Sequence, residues 1–212
     1  MHIRASALVC AARPHGEVGV IVRLLTERYG MVAAYVSGGR GREMRPVLIP
    51  GNGVEAEMRA RTPAQMPSAR IELTHSRAPF LTEPLPAVAI GWATTLAASA
   101  LPERHAYPAI HAALEALLDA VCHAPSARGW AGAMLAYEAL VLRELGYGNV
   151  FGAGVDGQRL LALGQGGDWP RILDAFDRLG VALSRYVLAE AHGDVMGARI
   201  RLCERLRRIA AP

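Results

Sequence analysis

Ten residues near the front of the chain, SGGRGREMRP (37–46), set Arg40, Arg42 and Arg45 among three glycines. Guanidinium groups form charge-assisted, forked hydrogen bonds to phosphate oxygens, and contacts of that kind hold a nucleic-acid backbone without reading its sequence. The glycines free the backbone, so the segment reads as a flexible basic arm; a wet turn of solvated arginines is the competing reading. Arg13, Arg23, Arg59 and Arg61 are further candidate DNA contacts, each weighed against an ordinary solvated arginine. Candidate stacking aromatics nearby are Tyr29 and Tyr35, with Phe80 at the border, although Tyr35 also fits a core position.

Other chemistry is hard to assemble. The glycines of GGRG lack the GxGxxG order, and no amphipathic helix follows them. GQGGD precedes a helix start, but Asp168 itself suits the cap there. His105, His111 and His123 are spaced six and twelve apart, off a common helical face, and His2, His15, His75 and His192 are scattered. Cys10, Cys122 and Cys203 are isolated, without a CxxC pair, and read as buried or half-buried free thiols. Glu138 and Glu144, six apart, do not form a close carboxylate pair. These patterns point away from an enzyme, a metal site and a cofactor.

Charge is unevenly placed. All 23 basic residues are arginine; Met1–Pro79 holds eleven of them against six acidic residues, whereas Phe80–Pro212 holds twelve against thirteen. The surplus therefore lies in the first third, where it favours a polyanionic partner. An apolar fraction of 52% with 20% charged residues excludes disorder. The richest apolar stretch, PLPAVAIGWATTLAASAL, is broken by prolines, glycine and small polar residues, so a soluble cytoplasmic protein is expected.

The elements that must position these arginines are strands first and helices afterwards. Ile3, Ala5, Ala7 and Val9 alternate with His2, Arg4, Ser6 and Leu8, and Val18, Val20, Val22 and Leu24 repeat the period after the turn around ARPHGE; further strands are expected at Met31–Val36, Val47–Ile49, Val54–Arg61 and Arg70–His75. In VEAEMRAR, Val54, Ala56, Met58 and Ala60 face one way and Glu55, Glu57, Arg59 and Arg61 the other. Short strands with tight Gly/Pro turns suit a small closed barrel over residues 1–79. Helices are expected at Ala87–Ala100, Pro108–Val121, Ala127–Leu145, Trp169–Glu190 and Gly197–Ile209, with Asp168 capping the fourth, making 80–212 an all-helical domain. Residues 149–167 read as a glycine-rich loop with a small hairpin around VDGQRLLAL.

In order and spacing, the ARPHGE turn, the LLTERYG step, the glycine-basic arm, the PVLIPGN link and YEALVLRELGYG (137–148) resemble the bacterial RecO recombination mediators, over roughly residues 2–208. The resemblance implies an OB-fold barrel followed by an all-α domain, with no enzymatic activity. It implies binding of single- and double-stranded DNA, annealing of complementary strands, and loading of RecA, with RecR, onto DNA coated by single-stranded DNA-binding protein. It places such a protein in the cytoplasm, at the nucleoid during repair. Carried over, Arg40, Arg42 and Arg45 become the main DNA contacts, with Arg13 and Arg23 secondary. The helical domain would take the C-terminal tail of the single-stranded DNA-binding protein, with Arg128, Arg199 and Arg201 as candidate contacts. Many relatives carry a four-cysteine zinc module after the LGYG signature; residues 149–167 contain no cysteine, so a reduced, zinc-free loop is expected. A peptide-binding adaptor without DNA contact is the alternative function, and a nucleic-acid enzyme a more distant one.

Overall fold

The computed structural model describes residues 2–62, 64–148, 157–166, 168–190 and 194–210. They form two compact units, Met1–Glu83 with Leu101–His111, and Pro84–Ala100 with Ala112–Pro212.

The first unit is built on five strands: β1 (His2–His15), β2 (Gly19–Thr26), β3 (Gly30–Val36), β4 (Gly53–Arg59) and β5 (Ser68–His75). They close in the order β1-β2-β3-β5-β4, with β4 returning to β1. The long β1 makes closure possible: a bulge between Val9 and Ala11 bends it, so its first half pairs with β4 and its second with β2. The weakest seam is β3–β5, a single parallel bridge between Tyr35 and Ser68 supported by the Tyr35 N–H donating to the Pro67 carbonyl at 2.8 Å. Inside, Val22, Leu24, Val54, Ala56 and Met58 are wholly buried, as their period-two spacing requires.

Val47–Ile49 is not a strand. The segment 37–48 is wound into turns, with the Val47 and Leu48 N–H groups both donating to the Met44 carbonyl at 3.1 and 3.0 Å. Its apolar residues serve the core from outside the sheet: Leu48 is buried in the barrel core, and Met44 and Val47 pack against it. Buried Asn52 fixes this plug, its Nδ2 donating to the Pro46 and Val47 carbonyls at 2.8 and 3.1 Å while its Oδ1 accepts from the Arg77 N–H at 2.9 Å.

The second unit carries α1 (Pro84–Ala100), most of α2 (Pro108–His123), α3 (Ala131–Leu142), α4 (Gly157–Gly166), α5 (Trp169–Ala182) and α6 (Val195–Ala210). The expected helix 127–145 is divided into a 3-10 turn over Ala127–Gly129, α3, and a wide final turn at Arg143–Tyr147 that stops where Gly146 takes φ 92°. Asp168 caps α5, accepting from the Arg171 N–H at 3.3 Å, with Pro170 in the first turn. The hairpin expected around VDGQRLLAL is instead α4 from Gly157 onward; residues 149–156, Gly167 and His192 lie outside the described residues. Glycine has a packing role here: a Cβ on Gly164 would come within 2.7 Å of the Gly132 backbone, so α3 and α4 approach through paired glycines. Among the described residues, no helix is long and apolar enough to cross a membrane.

Candidate nucleic-acid interface

Residues directly opposite across antiparallel strands share a face. Register therefore puts Arg13, Ile21 and Tyr35 in one row and Ala11, Arg23 and Ala33 in the next, with Ala12, Val22 and Ala34 between them pointing inward. Tyr35 is thus an outer-face residue rather than a core one. Its ring lies across Gly19, where a Cβ would come within 2.3 Å of the ring, and His15 meets it edge-on at 6.1 Å between centroids. His15, Val18, Gly19, Ile21, Tyr35 and Met66 line an open depression of about 420 Å³ between the β1–β2 turn and the β4–β5 connector.

The glycine-basic segment lies beside the same β1–β2 turn. The Arg40 N–H donates to the Val18 carbonyl at 3.1 Å, and its Nη1 donates to the Gly16 and Glu17 carbonyls at 3.2 and 2.9 Å. Arg45 Nε donates to the Arg40 carbonyl at 2.8 Å. The expected flexible arm is consequently a folded turn: Gly39 is buried against Val20, whose Cβ lies 2.8 Å from where a Gly39 Cβ would sit. Arg13, Arg40, Arg42 and Arg45 are all exposed, and none forms an ion pair among the described residues. Glu17 and Glu43 are the acidic residues of these two turns, so four arginines face two carboxylates and the charge stays positive.

Other arginines are occupied. Arg23 is half-buried, its Nη1 donating to Glu103 at 3.4 Å and its Nη2 to the Leu101 carbonyl at 3.4 Å. Arg59 clasps Glu57, which also bonds His2 at 2.9 Å, and these two partners hold the Glu57 carboxyl below the usual carboxylate range. With Arg4 on Glu55 at 3.2 Å, the β1–β4 outer surface largely neutralises itself. Arg23 and Arg59, expected as DNA contacts, thus have carboxylate partners instead. Arg61, at the start of the β4–β5 connector, is exposed and lines a shallow recess with His2, Arg59 and Ser68.

In the helical unit Arg199 is not at the surface. It is 4% exposed and donates two hydrogen bonds to wholly buried Glu138, Nε to Oε1 at 2.9 Å and Nη2 to Oε2 at 2.7 Å, while Trp92 Nε1 donates to the same carboxylate at 2.7 Å. Its guanidinium stacks near Trp92 and Phe176 and donates to the Phe176 carbonyl at 2.5 Å. Arg199 was expected to rim a partner site; burial against Glu138 makes it a link among α1, α3, α5 and α6. Arg128 lies exposed over the Trp169 ring at 5.6 Å, and exposed Arg201 sits 3.6 Å from Asp194. Cys10 and Cys203 are buried and Cys122 half-buried, all as free thiols; burial raises the Cys10 thiol to about 12 and also raises Cys203. No three His, Cys, Asp or Glu side chains converge as metal ligands among the described residues.

The basic turn is legible in the sequence, whereas His15, Val18 and Met66 are not singled out there and Tyr35 is left open between an outer and a core position. MVAAYV is apolar at every position, so its two faces are indistinguishable in isolation. The phase becomes visible only through pairing with β2.

A five-stranded barrel closed in the order 1-2-3-5-4, carrying polar and aromatic residues on the β2–β3 face and its flanking turns, is an OB-fold protein, here with a helical domain attached. The family model described as Recombination protein O N terminal matches residues 1–77. DNA repair protein RecO of Phenylobacterium zucineum is 42% identical over 149 residues, covering 70% of this chain and 60% of that protein. RecO of Caulobacter vibrioides is 42% identical over 143 residues, 67% of this chain and 58% of its own length. The chain thus aligns with about three fifths of these two relatives. RecO of Rhodospirillum centenum is 33% identical over 237 aligned positions, covering 95% of this chain and 93% of that protein. The chain belongs to the RecO family.

Proposed function

We propose that this chain is a non-enzymatic recombination mediator that binds DNA in repair. Its contacts to the phosphate backbone are Arg13, Arg40, Arg42 and Arg45, with Arg61 at the next connector. Both single- and double-stranded DNA meet this surface through phosphates. In this reading the protein anneals complementary strands and, with RecR, helps load RecA onto DNA coated by single-stranded DNA-binding protein, in the cytoplasm at the nucleoid. Arg128 and Arg201, both exposed, contact the C-terminal tail of that coating protein, whereas Arg199, buried against Glu138, takes no part.

The observation that carries the reading is the gathering of four exposed arginines, none in an ion pair, beside one turn of an OB barrel. Arg40 is fixed by carbonyl oxygens, which satisfy donors without cancelling its charge. Membership of a family whose named members are DNA repair proteins supports the same direction. Fluorescence anisotropy with labelled single strands tests it: replacing Arg40, Arg42 and Arg45 with alanine should weaken binding to unrelated sequences alike. No binding by the unaltered protein at low salt would remove DNA from the account and leave the adaptor reading. Annealing of coated complementary strands, with and without RecR, tests the mediator role, and defined cleavage of DNA in magnesium would revive the enzyme reading.

A further inference from the structure

The chain between α1 and α2, residues 101–107, belongs to the barrel unit and lies as a strap on the start of β3. Glu103 forms a parallel bridge with Met31, and the Arg104 N–H donates to the Met31 carbonyl at 2.8 Å. Gly30 makes room for the strap, since a Cβ there would come within 1.9 Å of the His105 carbonyl oxygen. Arg104, at φ 60°, is the sole non-glycine residue with positive φ among those described, and its Nη2 donates to the Gln65 carbonyl at 3.4 Å. A left-handed arginine persists only where its surroundings over-determine the backbone. The strap is therefore held in place, and what it presents to Arg23 is a carboxylate and a carbonyl.

Arg23 and Glu103 make a poor structural pair. Arg23 Nη1 donates to Glu103 Oε1 and Nη2 to the Leu101 carbonyl, both at 3.4 Å, and Nε is buried without a hydrogen-bond partner among the described residues. A settled pair in the same chain looks different: Arg199 reaches Glu138 at 2.9 and 2.7 Å, with both side chains buried. Glu103 keeps 46% of its side chain exposed, which leaves its carboxylate open to exchange against another anion.

We infer that Glu103 is an autoinhibitory contact: its carboxylate occupies the Arg23 guanidinium in place of a nucleic-acid phosphate and so limits the affinity of the barrel for DNA. The inference rests on the DNA-binding reading above and adds regulation to it. Carboxylate and phosphate oxygens compete for the same forked donors. Only the Glu103 side chain has to turn away for a phosphate to enter, while the strap backbone stays on Met31.

The test is a double-mutant cycle on single-strand binding by the full chain, read by anisotropy of a labelled oligothymidylate of about 12 nucleotides over about 50 to 200 mM salt. Glu103→Gln keeps the shape of the side chain and removes its charge. It should bind about fivefold or more tightly at the low-salt end and steepen the log–log salt slope by about 0.7, the signature of one added phosphate contact. Arg23→Ala should change the unaltered protein little, yet erase the whole gain when combined with Glu103→Gln. The Arg104 N–H should exchange with deuterium as slowly in Glu103→Gln as in the unaltered chain, which shows the strap in place. Unchanged affinity in Glu103→Gln overturns the inference while the phosphate contacts stand. So does a gain that survives Arg23→Ala, which is a general effect of removing a negative charge, and so does a gain accompanied by rapid exchange at Arg104. Absence of binding by the unaltered protein and every variant at low salt overturns the DNA reading itself, and the competition with it.

Discussion

Removing the guanidinium of Arg199 should destabilise the helical unit rather than abolish a surface contact. Arg199→Met leaves the Glu138 carboxylate, 0% exposed, with Trp92 Nε1 as its remaining hydrogen-bond donor among those described. Breaking a buried pair from one side costs about 3–5 kcal/mol, because an uncompensated charge stays in a poorly polarisable interior. Against a total domain stability of about 5–15 kcal/mol, that is a large fraction. The probe is already present: Trp92, Trp130 and Trp169 are the three tryptophans of the chain, and all are buried within the helical unit. Urea unfolding followed by tryptophan fluorescence therefore reports this unit alone, and the midpoint should fall steeply. Glu138→Gln combined with Arg199→Met keeps an amide oxygen for Trp92 and removes both charges, so most of the loss should be recovered, as replacement of buried pairs by neutral groups commonly allows. An unchanged midpoint for Arg199→Met, with weakened binding of a partner peptide, would refute the buried assignment and return Arg199 to the surface.

Further outcomes follow from the barrel. Asn52→Ala removes the amide that gathers Pro46, Val47 and the Arg77 N–H, and should destabilise the barrel by about 2–3 kcal/mol, read by hydrogen exchange of β1 and β4. Gly30→Ala should be worse than a simple loss of conformational freedom, because φ there is 67° and the added Cβ would lie 1.9 Å from the His105 carbonyl; thermal denaturation of the barrel measures it. In native protein at pH 8, a thiol reagent should label Cys122 first, since burial holds the Cys10 thiol near 12 and raises that of Cys203; rapid labelling of Cys10 would contradict its place in the barrel wall.

The barrel was legible where polar and apolar residues alternate, and β4 is the clearest instance: Val54, Ala56 and Met58 are wholly buried and Glu55, Glu57 and Arg59 lie outside. Legibility failed where one residue type serves two purposes. Leu48 is apolar because it plugs the barrel, which mimics a strand at Val47–Ile49. Gly164 reads as a turn residue, yet it allows α4 to press against α3 at Gly132. The arginines show the same limit. Composition placed a surplus in the first third, but not which guanidinium stays open: Arg59 shares the outer face of β4 with Glu57 and is committed, whereas Arg13, on β1 in the row of Tyr35, has no ion-pair partner among the described residues. Arg199 was hidden because an arginine on an amphipathic helix looks solvated until its buried partner, Glu138 on α3, is known.

The salt dependence of single-strand binding tests the central claim most directly. If Arg13, Arg40, Arg42 and Arg45 each neutralise a phosphate, the logarithm of affinity should fall against the logarithm of salt with a slope of about −2.8, so affinity drops about fiftyfold between about 50 and 200 mM. Arg42→Ala should reduce that slope by about 0.7. A slope near zero, or one that the substitution leaves unchanged, would contradict a phosphate-holding surface at the basic turn.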